Sequence, residues 1–361
     1  MILTKKISFF VIAGSVLLSL AGCGSKTAES TSGGGSTTPD AKSISVDSKG
    51  SSFVKPFLEN VFQMHKDAGG ITVNYQGGGS GAGITAFTDG TVPFAASDAP
   101  MSDEEMAEAK TKLGSDTLNL PFVLGGVAVA YNLPEVSELK LDGAVLAKIF
   151  TRKITKWNDP AIVALNAGTT LPDMNITVVV RADGSGTTYV FSDFLSAVDA
   201  EWNTAMGKGK KLNWDSSITQ SPQNDGVTKT TKEAVGAIAY IETSYAINAK
   251  LGMAKIKNKD GMFVGPDSAA VTAAAANNPL PADMRLSIVN AAGPESYPIS
   301  SYVYFLAPMD MTKNSAGKGV QAALKFAVNE GQAKAEELHY AKLPEAVQKA
   351  VSEKIDAIKV Q

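Results

Sequence analysis

The stretch "VVVRADGSGTTYVF", residues 178–191, decides the fold because it combines a strand, a polar turn and the start of a helix. Its β-branched run ends at Arg181, and an amphipathic helix is predicted to open at Thr187. One aspartate, two glycines and a serine lie between them. In open α/β sheets, ligands bind beyond the carboxyl ends of strands, where loops turn into helices. The stretch therefore predicts a binding loop inside an α/β domain.

The rest of the chain repeats this alternation of strand and helix. Apolar runs typical of strands include "ITVNYQG", "VPFAAS", "VLGGVAVAYNL", "GAIAYIE" and "ISSYVYFLA". Helices are predicted between Pro56 and Gly69, after Ser102 as an N-cap, and from about Gly83. Residues 255–296 are rich in Gly, Ala, Asn and Pro, and they are expected to be irregular. The order of elements predicts an α/β architecture.

The N-terminus is predicted to be a lipoprotein signal peptide covering residues 1–22. Lys5 and Lys6 precede a short apolar run that ends in Leu-Ala-Gly before Cys23. This resembles the lipobox of bacterial lipoproteins, so Cys23 is expected to be acylated and to anchor the chain to membrane lipid. Residues 23–42 contain almost no large apolar side chain and predict a flexible tether. We expect secretion across the cytoplasmic membrane and a lipid-anchored location, at the cell membrane or in the periplasm.

Composition excludes several classes of function. The formal charge of −3 becomes −5 once the two signal lysines are removed, so there is no basic excess for nucleic acid. The single cysteine excludes an internal disulfide and a CxxC metal or redox site. A glycine run at residues 77–82 fits a relaxed dinucleotide fingerprint, but no acidic residue follows in the expected frame. No cofactor and no metal are expected.

Four strand-to-helix junctions carry polar groups suited to a small oxyanion. They contain Ser51 or Ser52 as a possible helix cap, Ser80 within a glycine loop, Asp98 at the end of a strand, and the opening stretch. Free amides at helix N-termini form anion sites, and hydroxyls and arginine extend them. Each signal alone also fits a plain turn or a surface ion pair. Their coincidence favours an anion-binding protein.

The motifs "NYQGGGSGAG", "FAASDAPMSDEE", "VVVRADGSGTTYVF", "KITKWNDPAI", "GAIAYIE" and "YPISSYVYF" resemble periplasmic phosphate-binding proteins of phosphate ABC transporters, in the same order. The resemblance implies a two-lobed type 2 periplasmic-binding-protein fold, with two α/β lobes, two crossover strands and the ligand in the cleft. Lobe 1 is expected to comprise residues 43–130 and 298–361, and lobe 2 residues 131–297. The hinge is then expected near residues 130 and 298.

The resemblance also implies the site. The phosphate-binding residues carried over are Ser52, Phe53, Ser80, Asp98, Arg181, Ser185, Gly186 and Thr187. Asp183 is expected to hold Arg181, with Gly79 and Gly184 in support, although the family usually has threonine where this chain has Ser52. The implied partners are inorganic phosphate and the membrane subunits of an ABC permease, and the protein is expected to be a monomer.

The presence of Asp98 predicts selectivity for phosphate over sulfate. A carboxylate can accept a hydrogen bond from protonated phosphate, whereas sulfate has no proton to donate. We expect arsenate to bind to some degree, and affinity to depend weakly on salt. Two alternatives stay open: a surface phosphate sensor or adhesin, and a phosphate-ester hydrolase. No catalytic residue is expected, since His65 and His339 lie outside every motif and no GxSxG occurs.

Overall fold

The structure is a computed structural model that describes residues 44–276 and 278–361. The predicted signal peptide (1–22), the tether (23–42) and Cys23 lie outside the described residues. Within the described part of the chain, every helix is too short or too polar to cross a membrane.

The described residues form twelve strands. In chain order they are β1 (Ser45–Gly50), β2 (Thr72–Gln76), β3 (Ala95–Ser97), β4 (Thr117–Tyr131), β5 (Lys140–Leu141), β6 (Thr177–Arg181), β7 (Thr219–Ser221), β8 (Ala237–Glu242), β9 (Gly252–Met253), β10 (Lys255–Lys257), β11 (Phe263–Val264) and β12 (Ser300–Pro308).

Twelve α-helices accompany these strands within the same described ranges. They are α1 (Lys55–Asp67), α2 (Ser80–Thr88), α3 (Asp103–Leu113), α4 (Gly143–Phe150), α5 (Pro160–Leu165), α6 (Gly186–Val198), α7 (Ala200–Ala205), α8 (Gln223–Glu233), α9 (Thr243–Ala249), α10 (Ser268–Ala276), α11 (Gly317–Val328) and α12 (Glu345–Asp356). Two short 3₁₀ segments, Glu330–Lys334 and Glu336–Leu338, lie between α11 and α12.

One long strand, β4, joins two halves of the main sheet, whose order is β2-β1-β3-β12-β4-β8-β6-β7. Residues 117–126 of β4 pair antiparallel with β12, and residues 127–131 pair antiparallel with β8. We call β2, β1, β3, β12 and residues 117–126 the first half-sheet. Residues 127–131 with β8, β6, β7 and β9 are the second half-sheet. A separate small sheet has the order β11-β10-β5.

The strand directions bring the predicted loops to one edge of each half-sheet. In the first half-sheet, β1 runs parallel to both β2 and β3, so the loops after all three strands leave the same edge. In the second half-sheet, β6 runs parallel to both β7 and β8. Ligands of open α/β sheets bind at this edge. The topology therefore indicates a ligand site at the loops that begin at residues 51, 77, 98, 182 and 222.

Aromatic side chains fill the core on both sides. In the first half, Phe122 stacks on Phe305 with ring centroids 3.8 Å apart. In the second half, Phe191 of α6 stacks on Tyr240 of β8 at 4.5 Å. Burying each such ring removes a large apolar area from water, and the stacked geometry adds about 0.5–1.5 kcal/mol per pair. The core thus fixes α6, and with it the loop before α6.

Several element boundaries differ from the sequence-based predictions. Helix α2 begins at Ser80, three residues before the expected Gly83. Gly79 provides the turn, and the glycines in the first turn of α2 do not prevent the helix from starting there. Helix α6 begins at Gly186, one residue before the expected Thr187.

The predicted cap of α1 is wrong. Its N-cap is Val54, so neither Ser51 nor Ser52 caps the helix, and both hydroxyls bond to other groups. Residues 255–296 were expected to be irregular but contain the helix α10. Its "SAAVTAAAA" sequence lacks an amphipathic pattern, yet alanine has the highest intrinsic helix propensity.

Candidate anion-binding site

Two adjacent serines follow β1 and bond in different directions. The hydroxyl of Ser51 donates to Oδ1 of Asp98 and accepts from the backbone N–H of Phe53 at 3.0 Å. The hydroxyl of Ser52 accepts two bonds from Asn224, from the backbone N–H and from Nδ2, both at 3.1 Å. Both serines and Phe53 are fully or almost fully buried. Ser52 and Phe53 were singled out from the sequence, whereas Ser51 was considered only as a helix cap.

The glycine loop brings α2 against the loop that precedes α6. Gly79 has a φ of +93°, and a Cβ there would collide with the carboxylate of Asp183. The N–H of Gly81, in the first turn of α2, donates to the carbonyl of Gly184 at 2.9 Å, so the start of α2 and the loop before α6 meet backbone to backbone. Side chains larger than hydrogen would separate them. The glycines therefore allow the close contact between the two halves.

Asp98 lies at the centre of the cluster and is 1% exposed. Its Oδ2 accepts from the hydroxyl of Thr187 at 3.2 Å, and its N–H donates to the hydroxyl of Ser80 at 3.3 Å. Burial raises the pKa of Asp98 to about 6, against the lowering effects of the Ser51 hydrogen bond and of the Arg181 charge. This carboxyl therefore holds a proton more readily than an exposed aspartate.

Arg181 supplies the buried positive charge, and its side chain is 1% exposed. Its Nε and Nη2 donate to the two carboxylate oxygens of Asp183 at 2.9 and 2.5 Å, and its Nη1 donates to the Thr187 hydroxyl at 3.1 Å. Burial acts to raise the pKa of Asp183, but the hydrogen bonds and charge of Arg181 outweigh it and lower that pKa. The two-pronged pairing fixes the plane of the guanidinium.

The N-terminus of α6 also lies next to Asp98 and Ser80. Ser185 is the N-cap, and its hydroxyl accepts from the N–H of Thr188 at 3.1 Å. A Cβ on Gly186 would lie 2.5 Å from Oγ of Ser80 and 2.6 Å from Oδ2 of Asp98. The amides of the first turn and the helix dipole favour negative charge at this position. Glycine at residue 186 keeps this end of the helix open to a small group.

The structure thus brings all of the residues singled out from the sequence into one contiguous cluster. Ser52, Phe53, Ser80, Asp98 and Gly79 come from the first half. Arg181, Asp183, Gly184, Ser185, Gly186 and Thr187 come from the second half. A cavity of about 150 Å³ opens beside Asp98. Among the described residues, no group of three or more His, Cys, Asp or Glu side chains could hold a metal ion.

Sequence reasoning missed a second layer of polar residues behind the cluster. Tyr245 donates its hydroxyl to the carbonyl of Ser52 at 2.6 Å, and Tyr340 donates to the carbonyl of Phe53 at 2.7 Å. Asn224 accepts from the N–H of Glu242 at 3.1 Å. The sequence offers a signal only for Glu242, a carboxylate at the end of the strand "GAIAYIE". The other three residues match no motif, because their role depends on contacts between distant parts of the chain.

Glu242 is a second buried carboxyl, 0% exposed. It accepts from the N–H of Ser244 at 2.9 Å, and also bonds to the Ser244 hydroxyl and, at 3.4 Å, to the Tyr340 hydroxyl. Burial raises the pKa of Glu242 to about 8, although these hydrogen bonds lower it. This side chain is therefore mostly protonated at neutral pH.

Three comparisons place the chain among known proteins. A family model described as a PBP superfamily domain matches residues 28–330. The chain is 36% identical to "Phosphate-binding protein PstS" of Xylella fastidiosa (strain Temecula1 / ATCC 700964), over 86% of this chain and 85% of that protein. It is also 36% identical to "Phosphate-binding protein PstS3" of Mycobacterium bovis (strain BCG / Pasteur 1173P2), over 96% of each.

A solved structure supports the same fold. It is a high affinity periplasmic phosphate-binding protein bound with phosphate, with a TM-score of 0.69 and 21% sequence identity. The match covers 86% of this chain and 93% of that one. At this identity the likeness establishes the arrangement of helices and strands alone.

Proposed function

We propose that this chain, which belongs to the PstS family of phosphate-binding proteins within the PBP superfamily, binds inorganic phosphate and delivers it to an ABC permease for import. Its architecture is the type 2 periplasmic-binding-protein fold that the family resemblance implied. The observation that carries the proposal is one buried carboxyl, Asp98, set among hydroxyl donors and the buried guanidinium of Arg181.

The donor set fits an oxyanion. Arg181, the hydroxyls of Ser80 and Thr187, and the amides at the start of α6 all point toward Asp98 or its neighbours. On binding, groups that now bond to one another would turn to the oxygen atoms of the anion. Because Asp183 offsets the charge of Arg181, the anion would be held mainly by hydrogen bonds and helix dipoles rather than by net charge.

Asp98 explains how the site would select phosphate over sulfate. Phosphate near neutral pH keeps at least one P–OH, which can donate to the carboxylate, whereas sulfate has none. A buried acceptor without a donor costs about 1–3 kcal/mol, and more when it is charged. Sites that require a ligand hydroxyl reject analogues without one by about 10⁴–10⁵. Arsenate also keeps a proton and should bind.

The two halves would act as two lobes that close on the ligand. The change of β4 partner between residues 126 and 127, and the bond from the Val127 N–H to the Ile299 carbonyl, support a hinge at these crossings. We propose that lobe 1 contains residues 43–126 and 298–361 and that lobe 2 contains residues 127–297. The first crossing moves from the expected residue 130 to residues 126–127, because residues 127–131 pair with β8. Small-angle scattering should give a smaller radius of gyration with phosphate than without it, and an unchanged radius would argue against closure.

The cellular setting rests on sequence features outside the described residues. Acylation of Cys23 after removal of residues 1–22 would place the folded part on a tether outside the cytoplasmic membrane. We propose that the protein acts there as a monomer. Metabolic labelling with a fatty acid should mark the wild-type chain and leave a Cys23→Ser variant unlabelled.

The hydrolase and sensor alternatives are less well supported. The relatives are named as binding proteins. His65 is 6% exposed and packs against Phe326, and burial lowers its pKa. His339 is exposed near the C-terminus, and neither histidine contacts the cluster around Asp98. A phosphate-binding protein without catalysis is the simpler interpretation.

Isothermal titration tests the proposal directly. Purified protein, freed of carried-over phosphate, is titrated with phosphate, sulfate and arsenate at two salt concentrations. We expect one tight phosphate site, weaker arsenate binding, no heat with sulfate and little change with salt. Sulfate binding of similar strength would contradict the role given to Asp98. The absence of binding to all three anions would overturn the proposed function.

A further inference from the structure

A partly buried ion pair joins the two halves beside the site. Nζ of Lys210 donates to both carboxylate oxygens of Glu105, at 2.8 and 2.7 Å. Glu105 lies in the first turn of α3, in the first half, and Lys210 lies in the loop between α7 and β7, in the second half. The side chain of Lys210 is 18% exposed and that of Glu105 is 30% exposed. The pair therefore spans the cleft and is less exposed to solvent than a typical surface ion pair.

A second ion pair between the halves is weaker. Lys55 and Asp225 are 3.9 Å apart and their side chains are 35% and 56% exposed. The pair of Arg285 with Asp103 lies on the side of the first half-sheet, since Arg285 also donates to the Met101 carbonyl and the next residue bonds to Tyr304 of β12. Exposed pairs are screened and contribute little to stability. Among the described residues, Lys210 and Glu105 form the inter-half pair best placed to hold the cleft shut.

Both partners are tied directly to elements of the site. The carbonyl of Lys210 accepts from the N–H of Ser185 at 2.8 Å, and Ser185 is the N-cap of α6. The carboxylate of Glu105 accepts from the N–H of Ser102 at 2.9 Å, and Ser102 caps α3 just after the Asp98 loop. Bringing Lys210 onto Glu105 thus fixes the start of α6 relative to the Asp98 loop.

We propose that Lys210 and Glu105 form a latch across the cleft, and that Lys210 is a positioning residue for phosphate binding. The inference rests on the proposed function. The latch forms only when the two halves meet, so it stabilises the phosphate-bound closed state and slows release. It acts on phosphate only through Ser185, and it should therefore change the dissociation rate rather than the association rate.

The chain offers well-matched variants. Lys210→Met removes the charge and keeps the unbranched side chain and the backbone carbonyl. Glu105→Gln removes the opposite charge and keeps the capping box, which accepts glutamine as well as glutamate. Lys208→Met is the control, because Lys208 lies two residues away and pairs at 2.8 Å with Asp193 of α6, within the same half. Lys210→Arg keeps the charge.

The test combines titration calorimetry with a chase of bound radiolabelled phosphate by unlabelled phosphate. At low salt we expect Lys210→Met and Glu105→Gln each to raise Kd about fivefold through faster dissociation, a size suited to a partly exposed pair. The double variant should lose no more than either single variant, because both remove the same interaction. The difference from wild type should shrink at high salt. Lys208→Met and Lys210→Arg should bind as wild type does.

Thermal unfolding separates a latch from a general structural role. In the proposed closure the halves are apart when phosphate is absent, so phosphate-free Lys210→Met should unfold at the wild-type temperature. An unchanged Kd, additive losses in the double variant, an equal loss in Lys208→Met, or a lowered unfolding temperature without phosphate would overturn the latch and leave the proposed function standing. A wild-type protein that does not bind phosphate would overturn both.

Discussion

At the scale of single residues, two buried carboxyls have different surroundings. Asp98 accepts hydrogen bonds from Ser51 and Thr187 on opposite sides of the cleft. Glu242 lies behind the cluster, with Ser244 and Tyr340 as its partners. Burial raises the pKa of both groups, to about 6 and about 8. The first is therefore placed to meet a ligand proton, and the second to keep a proton of its own.

Replacing Asp98 by asparagine should erode selectivity. The new side-chain amide could donate to a fully ionised oxygen, so Asp98→Asn should bind phosphate more weakly and sulfate measurably. We expect the ratio of phosphate to sulfate affinity to fall by about a hundredfold or more. Competition titrations at pH 7 measure it. Asp89→Asn, at an exposed carboxylate paired with Lys112, is the control and should keep the ratio. A variant that still ignores sulfate would contradict the explanation.

Replacing Glu242 by glutamine should change how stability depends on pH. The folded-state pKa of Glu242 lies above its unfolded value of 4.5, so the folded state binds more protons between pH 4.5 and 8. Its contribution to stability therefore falls as pH rises through this window and is lowest above pH 8. Glutamine resembles the protonated form and removes this loss.

Denaturant unfolding at several pH values tests that expectation. The free energy of unfolding of Glu242→Gln should lie within about 1 kcal/mol of the wild-type value at pH 5 and exceed it by about 5 kcal/mol at pH 9. Glu295→Gln, at an exposed position, serves as the control and should follow the wild type at every pH. A difference that is the same at pH 5 and pH 9 would show that Glu242 does not titrate as described.

At the scale of elements, the site is a meeting of two helix N-termini. Helix α2 begins at Ser80 and α6 begins at Gly186. The first turn of α2 touches the loop before α6 through the hydrogen bond from Gly81 to Gly184. Two positive helix ends at one point are favourable only when negative charge lies between them. Asp98 provides part of that charge, and phosphate would provide the rest.

A methyl group at residue 186 should prevent this meeting. In Gly186→Ala the new Cβ would lie 2.5 Å from the Ser80 hydroxyl across the cleft. Overpacking of this kind costs about 1–3 kcal/mol, so phosphate affinity should fall about tenfold to a hundredfold. The phosphate-free protein should unfold at the wild-type temperature, because the clash arises only on closure. Gly265→Ala, where a Cβ meets nothing within 4 Å, should bind normally. Normal binding by Gly186→Ala would disprove the close approach.

At the scale of the whole molecule, contacts between residues that are close in the sequence could be predicted, and contacts between distant residues could not. Arg181, Asp183 and Thr187 lie within seven positions, so a strand and a helix start suffice to bring them together. Asn224 reaches Ser52 across 172 residues, and Tyr245 does so across 193. No periodic pattern in the sequence predicts such contacts, because they arise from the order of the strands in the sheet. The resemblance to a known family predicted the fold where periodicity alone would have stopped at α/β.

The position of β12 has a consequence for how the chain folds as it is made. β12 lies between β3 and β4, so the first half-sheet has a gap until residue 308 has been synthesised. The strands of the second half-sheet are complete by residue 253. We expect the middle of the chain to fold before its beginning, because unpaired strands are only marginally stable alone. In a chain ending at residue 299, hydrogen exchange should show protected amides in β6 and β8 and rapid exchange in β1 to β3. Equal protection in both groups would contradict this order, in which the strands that leave the ribosome first are the last to become stable.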